Sequence, residues 1–228
     1  MTTPPPPPRR LPAARRRKQL AEVAVAVFGS GSYHATSMDE IAERAGVTKP
    51  VLYQHFPSKS GLYLELIQTV GAELLEAVTG AATAESQPAA RVLAGFRAYF
   101  RFVATRTDAF RLLFGGGAWQ AGEFADAVRG VERSIAETIS ALIDVDLEPQ
   151  HRELLGYAIV GLAEVTSRQW VLRHEVKRGS AKGIDEAEGE VLARQLADLV
   201  WAGLRGLPGL TEQARSSPAE PSPPRSGD

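Results

Sequence analysis

The chain has 228 residues, 44% hydrophobic and 23% charged, so it is long and apolar enough to bury a sizeable core. It contains no cysteine, which excludes disulfides and thiolate metal sites, and its apolar runs are too short to span a membrane. Its N-terminal region has no apolar segment of the signal-peptide type, and we therefore expect a cytoplasmic protein.

The net charge of −1 hides an uneven distribution of charge along the chain. Residues 1–60 hold nine basic and four acidic side chains, a net charge of +5, whereas the remainder carries −6. This asymmetry favours an N-terminal segment that contacts a polyanion, attached to a body that does not.

Both ends of the chain are rich in proline and are predicted to be disordered. Residues 1–10 (MTTPPPPPRR) predict a polyproline arm, and residues 211–228 predict a tail without apolar periodicity. The first helix follows the arm, because apolar residues recur at helical spacing from Leu20 to Phe28. We expect Gly29 and Gly31 to end it.

The next segment contains signals for two short helices. Ser37 and Glu40 have the spacing of a capping box, which predicts the start of a helix. Gly46 predicts a tight turn, and Thr48 is the expected N-cap of the following helix. This arrangement predicts a helix-turn-helix, whose second helix enters the major groove of DNA.

The remaining signals predict further helices and no strands. Phe56-Pro57 breaks the second short helix, and Ser58 caps a longer one. Further helices are predicted at about 88–106, 108–114, 118–144, 149–178 and 185–206. The predicted fold is therefore all-α, with about nine helices, a helix-turn-helix domain over 11–57 and a second domain over 58–210.

The stretch TSMDEIAERAGVTKPVLYQHFPSKSGLY, residues 36–63, closely resembles the N-terminal domain of the tetracycline-repressor (TetR) family of bacterial transcription regulators. The resemblance covers about residues 14–63. It implies a two-domain homodimer that binds a double-stranded DNA operator, with a ligand-responsive C-terminal domain. By position, it implies DNA contacts from Thr36, Ser37, Thr48, Lys49, Tyr53, His55 and Lys59.

Some of these side chains have more than one reading. Tyr53 either contacts DNA directly or packs against the first helix and offers only its hydroxyl to a phosphate. The arginines at the start of the chain either form a solvated tail or add contacts in the minor groove. They are Arg9, Arg10, Arg15, Arg16 and Arg17.

The second domain is predicted to enclose an apolar ligand pocket, as the resemblance implies. Most of its aromatic residues are expected in the core. Candidate lining residues are Phe96, Tyr99, Phe100, Phe114, Trp119, Tyr157, Glu164 and Trp170. Glu164 and Arg168 lie four residues apart and either polarise a ligand or form a surface salt bridge.

The helices at about 149–178 and 185–206 are expected to form a four-helix dimer interface. The second carries a wide apolar stripe, formed by Val191, Leu192, Leu196, Leu199, Val200 and Leu204. A dimer presents two recognition helices to a palindromic operator.

The leading hypothesis is a regulator, specifically a repressor that a small apolar or amphipathic ligand releases from DNA. The alternative is a DNA-binding regulator without such a ligand, controlled by a protein partner, which a core filled by aromatic residues would favour. The sequence has no HExxH, GxSxG or phosphate-binding glycine loop, so we expect no enzyme. We also expect no cofactor and no metal site.

Overall fold

The structure is a computed structural model that describes residues 12–115, 124–143, 147–178 and 184–207. These residues form nine helices and no strand, which confirms the predicted all-α fold. In chain order the helices are α1 (Ala13–Ser30), α2 (Met38–Arg44), α3 (Lys49–His55), α4 (Lys59–Thr83), α5 (Pro88–Thr105), α6 (Thr107–Phe114), α7 (Ala125–Leu142), α8 (Pro149–Arg178) and α9 (Glu186–Arg205). No helix among them is both long and apolar enough to cross a membrane.

The helix boundaries of the first 60 residues follow the local signals in the sequence. The Ser37 Oγ accepts a hydrogen bond from the Glu40 amide at 3.1 Å, and the Ser58 Oγ accepts one from the Gly61 amide at 3.0 Å. Gly46 forms the turn between α2 and α3 with a φ of 65°. Thr48 occupies the predicted N-cap position, but its hydroxyl makes no capping hydrogen bond.

Gly29 does not end the first helix, contrary to the sequence prediction. It is a buried residue inside α1, and Gly31 is the C-cap. A Cβ added at Gly29 would lie 2.2 Å from the carbonyl oxygen of Asp108, in α6. The absence of a side chain at this position therefore lets the backbones of α1 and α6 approach each other.

The arginines of the predicted arm divide into two groups. Arg9 and Arg10 lie outside the described residues, as do the ranges 1–10 and 211–228. Arg15, Arg16 and Arg17 instead belong to the first turns of α1, which begins at Ala13. They are therefore helical residues and not parts of a flexible arm.

Arg17 has a structural role inside the fold. Its Nη2 lies 2.7 Å from Glu65 Oε2 in α4, and its guanidinium lies 4.5 Å from the centre of the Phe56 ring. These contacts fasten α1 to the start of α4.

Among the described residues, one large hydrophobic cluster extends from α1 to α9, and a small second one surrounds Ile143 and Leu204. We call α1–α3 the head and α5–α9 the body; the 25-residue helix α4 connects them. In the body, α5 packs against α4 and α9, and α7 packs against α8. The short helix α6 packs against α1 of the head and also against α4, α5 and α8. It therefore links the two parts.

Candidate functional site

The head presents α3 on an exposed surface and packs it against α2 from behind. Leu52 is fully buried, and the Val47 amide donates to the Ala42 carbonyl at 3.0 Å, which fixes the angle between the two helices. Four of the seven predicted DNA-contacting residues lie on α3 or at its N-cap. Thr48, Lys49 and Tyr53 are exposed, and His55 is half-buried. This is the arrangement in which a recognition helix enters a major groove.

Lys49 forms an ion pair within the head. Its Nζ lies 2.8 Å from Asp39 Oδ1, and the hydrogen bond to Asp39 raises the pKa of the lysine. Both side chains are more than half exposed. A DNA phosphate or base that contacts Lys49 therefore has to compete with a carboxylate.

Lys59 points back into the molecule. Its Nζ donates to the carbonyl oxygens of Tyr33 at 2.9 Å and Thr36 at 3.0 Å, and lies 4.3 Å from the centre of the Tyr33 ring. The predicted phosphate contact at this position conflicts with these bonds, because two of the three ammonium protons are already used. Lys59 fastens the loop between α1 and α2 to the start of α4.

The remaining two predicted DNA-contacting residues lie just before α2. Thr36 is only 4% exposed, so its hydroxyl lacks the exposure that the predicted DNA contact requires. Ser37 is exposed, and its hydroxyl serves as the cap of α2. The interface that geometry supports therefore centres on Thr48, Lys49, Tyr53 and His55.

The body contains an internal cavity of about 120 Å³. Its walls are formed by α4, α5, α7, α8 and the end of α9, and Phe114 at the end of α6 closes one side. The lining is almost entirely apolar; Arg91, Tyr99 and Glu164 are the lining residues with ionisable side chains. Such a cavity suits a ligand with a long apolar part and few polar atoms.

The predicted lining residues divide by helix face. Phe96, Tyr99, Phe114 and Glu164 line the cavity. Phe100 and Trp170 instead pack edge-to-face in the core, with ring centres 5.7 Å apart. Neither of these two rings lines the cavity, because adjacent residues of a helix point about 100° apart.

The other two predicted residues lie elsewhere. Tyr157 is 39% exposed on the outer side of α8 and does not line the cavity. Trp119 lies outside the described residues.

Sequence reasoning missed the aliphatic part of the wall because it selected aromatic residues. Leu74, Val78 and Ala82 lie at four-residue spacing on α4, and Ile135 and Ile139 do so on α7. That spacing is a visible signal for one helix face. Periodicity alone does not separate a cavity wall from a filled core.

One end of the cavity is polar and buried. Glu164 and Arg168 form a partly buried ion pair there, and Glu164 also lines the cavity, so the polarisation of a ligand by this pair stays a prediction. Burial raises the pKa of Glu132 nearby, and the charge of Glu164 adds to the shift. Burial likewise raises the pKa of the Tyr99 phenol, with a further contribution from Glu164.

Helix α6 connects this cavity with the head. Phe114 at its C-terminal end lines the cavity, and its N-terminal end lies against Gly29 of α1. Arg106, just before α6, lies 3.1 Å from Glu73 of α4 and 3.3 Å from Glu22 of α1. A displacement of α6 therefore acts on both helices.

No three His, Asp or Glu side chains in the described ranges are grouped so that they could hold a metal ion. The chemistry that these two sites support is binding: an exposed helix for nucleic acid and an enclosed apolar cavity for a small molecule. A helix-turn-helix head joined to a helical sensor body defines the class of two-domain transcription regulators.

Comparisons with known proteins identify the family within that class. The sequence model of the bacterial regulatory proteins of the tetR family matches residues 20–66, and the model of the tetracyclin repressor-like C-terminal domain matches residues 88–203. The HTH-type transcriptional activator FasR of Mycolicibacterium smegmatis is 33% identical over 193 residues, which cover 83% of each chain. The chain belongs to the tetR family and is a DNA-binding transcriptional regulator.

Solved structures share the fold. A TetR-like transcriptional regulator from Rhodococcus sp. RHA1 matches with a TM-score of 0.66 and 29% identity, covering 87% of this chain and all of that one. The regulator FadR from Bacillus subtilis, solved in complex with stearoyl-CoA, matches with a TM-score of 0.68 over 82% of this chain and 98% of its own. Its 15% identity makes this a likeness of fold alone.

Proposed function

We propose that this protein is a dimeric regulator that binds a palindromic operator and is released from it by an acyl ligand bound in the body cavity. The observation that carries the proposal is the apolar cavity between the helices of the body, whose wall includes Phe114 of the linking helix α6. The proposed division is a DNA-binding domain over 11–57 and a ligand-binding and dimerisation domain over 58–210. On the DNA side, Thr48, Lys49, Tyr53 and His55 are the proposed contacts.

The proposed ligand class follows from the shape and chemistry of the cavity. Along α5, its lining extends from Pro88 to Tyr99, eleven residues, or about 17 Å of helix. An apolar space that extends along α5, with Tyr99 and Glu164 towards one end, matches an acyl chain with its carbonyl. The stearoyl-CoA in FadR is consistent with this class, although that likeness concerns the fold.

The alternative of a regulator controlled only by a protein partner has less support. It required the aromatic residues of the body to fill its core. Phe100 and Trp170 do pack together in the core, but a cavity of about 120 Å³ remains beside them. That space gives a small molecule a binding site and makes the partner-only reading unnecessary.

The proposed signal passes from the cavity to the head through α6 and α4. A ligand that separates Phe114 from Leu74 moves α6 relative to α4. Since α6 rests on Gly29 and Arg106 joins α1 to α4, the head follows. Such a ligand shifts the equilibrium only by the difference between its affinities for the two arrangements.

The dimer is proposed from apolar residues on the outer faces of the last two helices. Leu154, Val165 and Leu172 of α8 are exposed and follow one another by eleven and seven residues, which places them on one helix face. On α9, Val191 and Leu199 are exposed. The wide stripe predicted on α9 is split, because Leu192, Leu196, Val200 and Leu204 pack inward.

Ligand-driven release from DNA does not by itself determine whether the protein represses or activates transcription. The family resemblance suggested a repressor, whereas the relative FasR is an activator. Both outcomes are compatible with the same ligand-driven release, because the sign depends on where the operator lies relative to the promoter. We therefore propose ligand-controlled DNA binding as the physical act of this protein, with repression as the hypothesis for its target genes.

The first test is selection of binding sites from random duplex DNA with the full-length protein. We expect a palindromic winner bound by a dimer, with affinity that falls steeply with salt. Decanoyl-, hexadecanoyl- and octadecanoyl-coenzyme A are then titrated against the complex, and at least one should release the DNA. Tight palindrome binding that no acyl thioester weakens would overturn the ligand class and leave the DNA-binding role standing.

Phe114→Ala tests the coupling, with Phe110→Ala as the control buried in the same helix but outside the cavity wall. Both variants lose one aromatic ring from α6. We expect the thioester to bind Phe114→Ala but to release DNA from this variant less effectively than from the wild-type protein. It should release DNA from Phe110→Ala normally once the stabilities of the two variants are matched. Equal release by both variants would contradict the proposed route.

A further inference from the structure

We propose that the phenol of Tyr99, supported by the hydroxyl of Ser167, is the specificity-determining donor that binds an uncharged carbonyl oxygen of the ligand. This inference rests on the proposed function, because it assigns the polar contact for an acyl ligand in the same cavity. It predicts that the protein distinguishes esters and thioesters from free carboxylates.

Tyr99 lines the polar end of the cavity, and Ser167 is a buried neighbour of Tyr99 that is not itself part of the cavity wall. Tyr99 lines the cavity and is 8% exposed, and Ser167 is fully buried on α8, one turn beyond Ala163 and Glu164 of the wall. Within the described part of the chain, neither hydroxyl has a hydrogen-bond partner. Burial raises the pKa of the Tyr99 phenol, and the neighbouring Ser167 hydroxyl acts on it in the opposite direction, so the two hydroxyls lie close together. Buried polar groups are rarely left unpaired, so the two hydroxyls mark where a ligand atom completes the site.

The phenol is a donor at neutral pH. Burial raises the pKa of Tyr99, and the nearby Glu164 carboxylate adds to the shift. Tyr99 therefore keeps its proton and acts as a hydrogen-bond donor. The lone pairs that accept this hydrogen bond belong to the ligand. A carbonyl oxygen accepts such a proton in the plane of its substituents.

The charges around Tyr99 disfavour an anionic ligand. The charge of Arg168 is paired with Glu164, and burial raises the pKa of Glu132 next to them. An added carboxylate would enter a poorly solvated region that holds Glu132 and Glu164, and the nearby guanidinium groups of Arg129 and Arg168 are already paired with Asp126 and Glu164. An ester or thioester carbonyl offers the same acceptor oxygen without the charge, so this end of the cavity selects the uncharged form.

The remaining wall defines where the chain of the ligand lies. From Tyr99 towards Pro88, the lining of α5 consists of Phe96, Gly95, Val92 and Arg91, of which Arg91 alone is charged. Arg91 lies near the far end and donates through Nε to the Glu85 carbonyl at 2.9 Å. The apolar length between these two ends accommodates the acyl chain, with its carbonyl at Tyr99.

The test uses the full-length protein and N-phenyl-1-naphthylamine, an uncharged apolar dye without a carbonyl group. Dye fluorescence reports the occupancy of the cavity, and methyl decanoate and decanoate compete for it. The variants are Tyr99→Phe and Ser167→Ala. Tyr157→Phe is the matched control, because it loses the same hydroxyl from an exposed position outside the cavity.

We expect the wild-type protein to bind methyl decanoate more tightly than decanoate. Tyr99→Phe should weaken methyl decanoate binding about tenfold, the effect of one net hydrogen bond, and leave dye and decanoate binding within about twofold. Ser167→Ala should weaken ester binding less, and Tyr157→Phe should not change it. The unchanged dye affinity shows that the cavity of each variant is intact.

Three results would overturn the inference in distinguishable ways. If Tyr99→Phe binds the dye and the ester as the wild-type protein does, the anchor is wrong and the acyl ligand class survives. If the wild-type protein prefers decanoate to its methyl ester, the selection for an uncharged carbonyl is wrong. If the wild-type protein binds the dye but neither acyl compound, the proposed ligand class fails together with the anchor.

Discussion

The ammonium group of Lys59 is an internal clamp in a position where a DNA contact was expected. It donates to the carbonyls of Tyr33 and Thr36 and lies over the Tyr33 ring. Both carbonyls lie in the loop that connects α1 to α2, the first helix of the helix-turn-helix. At the scale of single residues, this lysine of α4 therefore adds to the contacts that hold the head in place.

Lys59→Met should lower stability by about 1–2 kcal/mol, because two charge-assisted hydrogen bonds from a partly exposed group are lost. For a chain of this size that is a fall in Tm of about 2–8 °C. Thermal unfolding measures it, with Lys18→Met, an exposed lysine of α1, as the control. A stable Lys59→Met variant whose DNA affinity has lost about one unit of salt slope would instead identify a phosphate contact.

The Asp39–Lys49 ion pair predicts a gain of function in DNA binding. Asp39→Asn releases Lys49 and should raise operator affinity several-fold at low salt, because the ammonium no longer shares its charge with a carboxylate. Glu43→Gln is the matched control, since it removes one negative charge from the same exposed helix without touching Lys49. Fluorescence anisotropy at several salt concentrations compares the two variants. Equal gains would mean that overall charge, and not the ion pair, sets the affinity.

Gly46 and Gly80 should respond in opposite ways to the same substitution. Gly46→Ala places a Cβ on a residue with a φ of 65° and should destabilise the fold by about 1 kcal/mol. Gly80 lies within α4 with open space around its Cβ, so Gly80→Ala should stabilise by about 0.5–1 kcal/mol. Urea unfolding of both variants checks the opposite signs.

At the scale of elements, α6 is the contact between the cavity and the head. Its eight residues span about 12 Å, with Phe114 at one end and the Gly29 contact at the other. The Tyr63 phenol donates to the Leu112 carbonyl at 3.2 Å, and burial raises the pKa of Tyr63 to about 12. Helix α6 is therefore bonded to α4 as well as packed against α1.

Gly29→Ala should separate α1 from α6, because a Cβ at this position meets the backbone of Asp108 at 2.2 Å. We expect a loss of about 1–3 kcal/mol in the free energy of unfolding, as for other overpacked interiors. Gly130→Ala, at an open position of α7, is the control and should not destabilise. A neutral Gly29→Ala variant would show that the two helices have room to move apart without cost.

The elements that the sequence predicted well are those with local causes. The caps at Ser37 and Ser58, the turn at Gly46 and the break at Phe56-Pro57 depend on atoms within a few residues. Hydrogen bonds over such distances follow from residue type and spacing. The nine helices were therefore predictable to within a few residues over the described ranges.

The parts that sequence reasoning missed depend on residues far apart in the chain. Lys59 contacts Tyr33 across 26 positions, and nothing in its neighbourhood predicts that partner. Gly29 was expected to end a helix, because the sequence does not show its packing partner. That partner, Asp108, is brought next to Gly29 only by the tertiary fold. For the cavity, an apolar stripe on each helix was readable, but the gap between the stripes depends on how five helices pack together.

At the scale of the whole molecule, the exposed apolar faces of α8 and α9 require a partner surface. Leu199 of α9 is 60% exposed. Leu199→Glu should yield a monomer that loses operator binding, because a single recognition helix makes half of the contacts. Light scattering after gel filtration measures the oligomeric state.

Leu64→Glu is the control for the dimer, since Leu64 is an exposed leucine on α4 near the head. It adds the same charge to the chain and should leave the dimer intact. A dimeric Leu199→Glu variant would place the interface elsewhere, and a monomeric wild-type protein that still binds a palindrome tightly would contradict the dimer proposal altogether.

Arg106 forms ion pairs with both Glu22 of α1 and Glu73 of α4. These ion pairs constrain the design of hybrid sensors from this chain. Exchanging the head for that of another regulator would change operator preference while keeping the response of the body. Such a graft preserves communication only if the incoming first helix carries an acid opposite Arg106 and a glycine opposite Asp108. We therefore expect these two positions on α1, Glu22 and Gly29, to influence which heads this body can control.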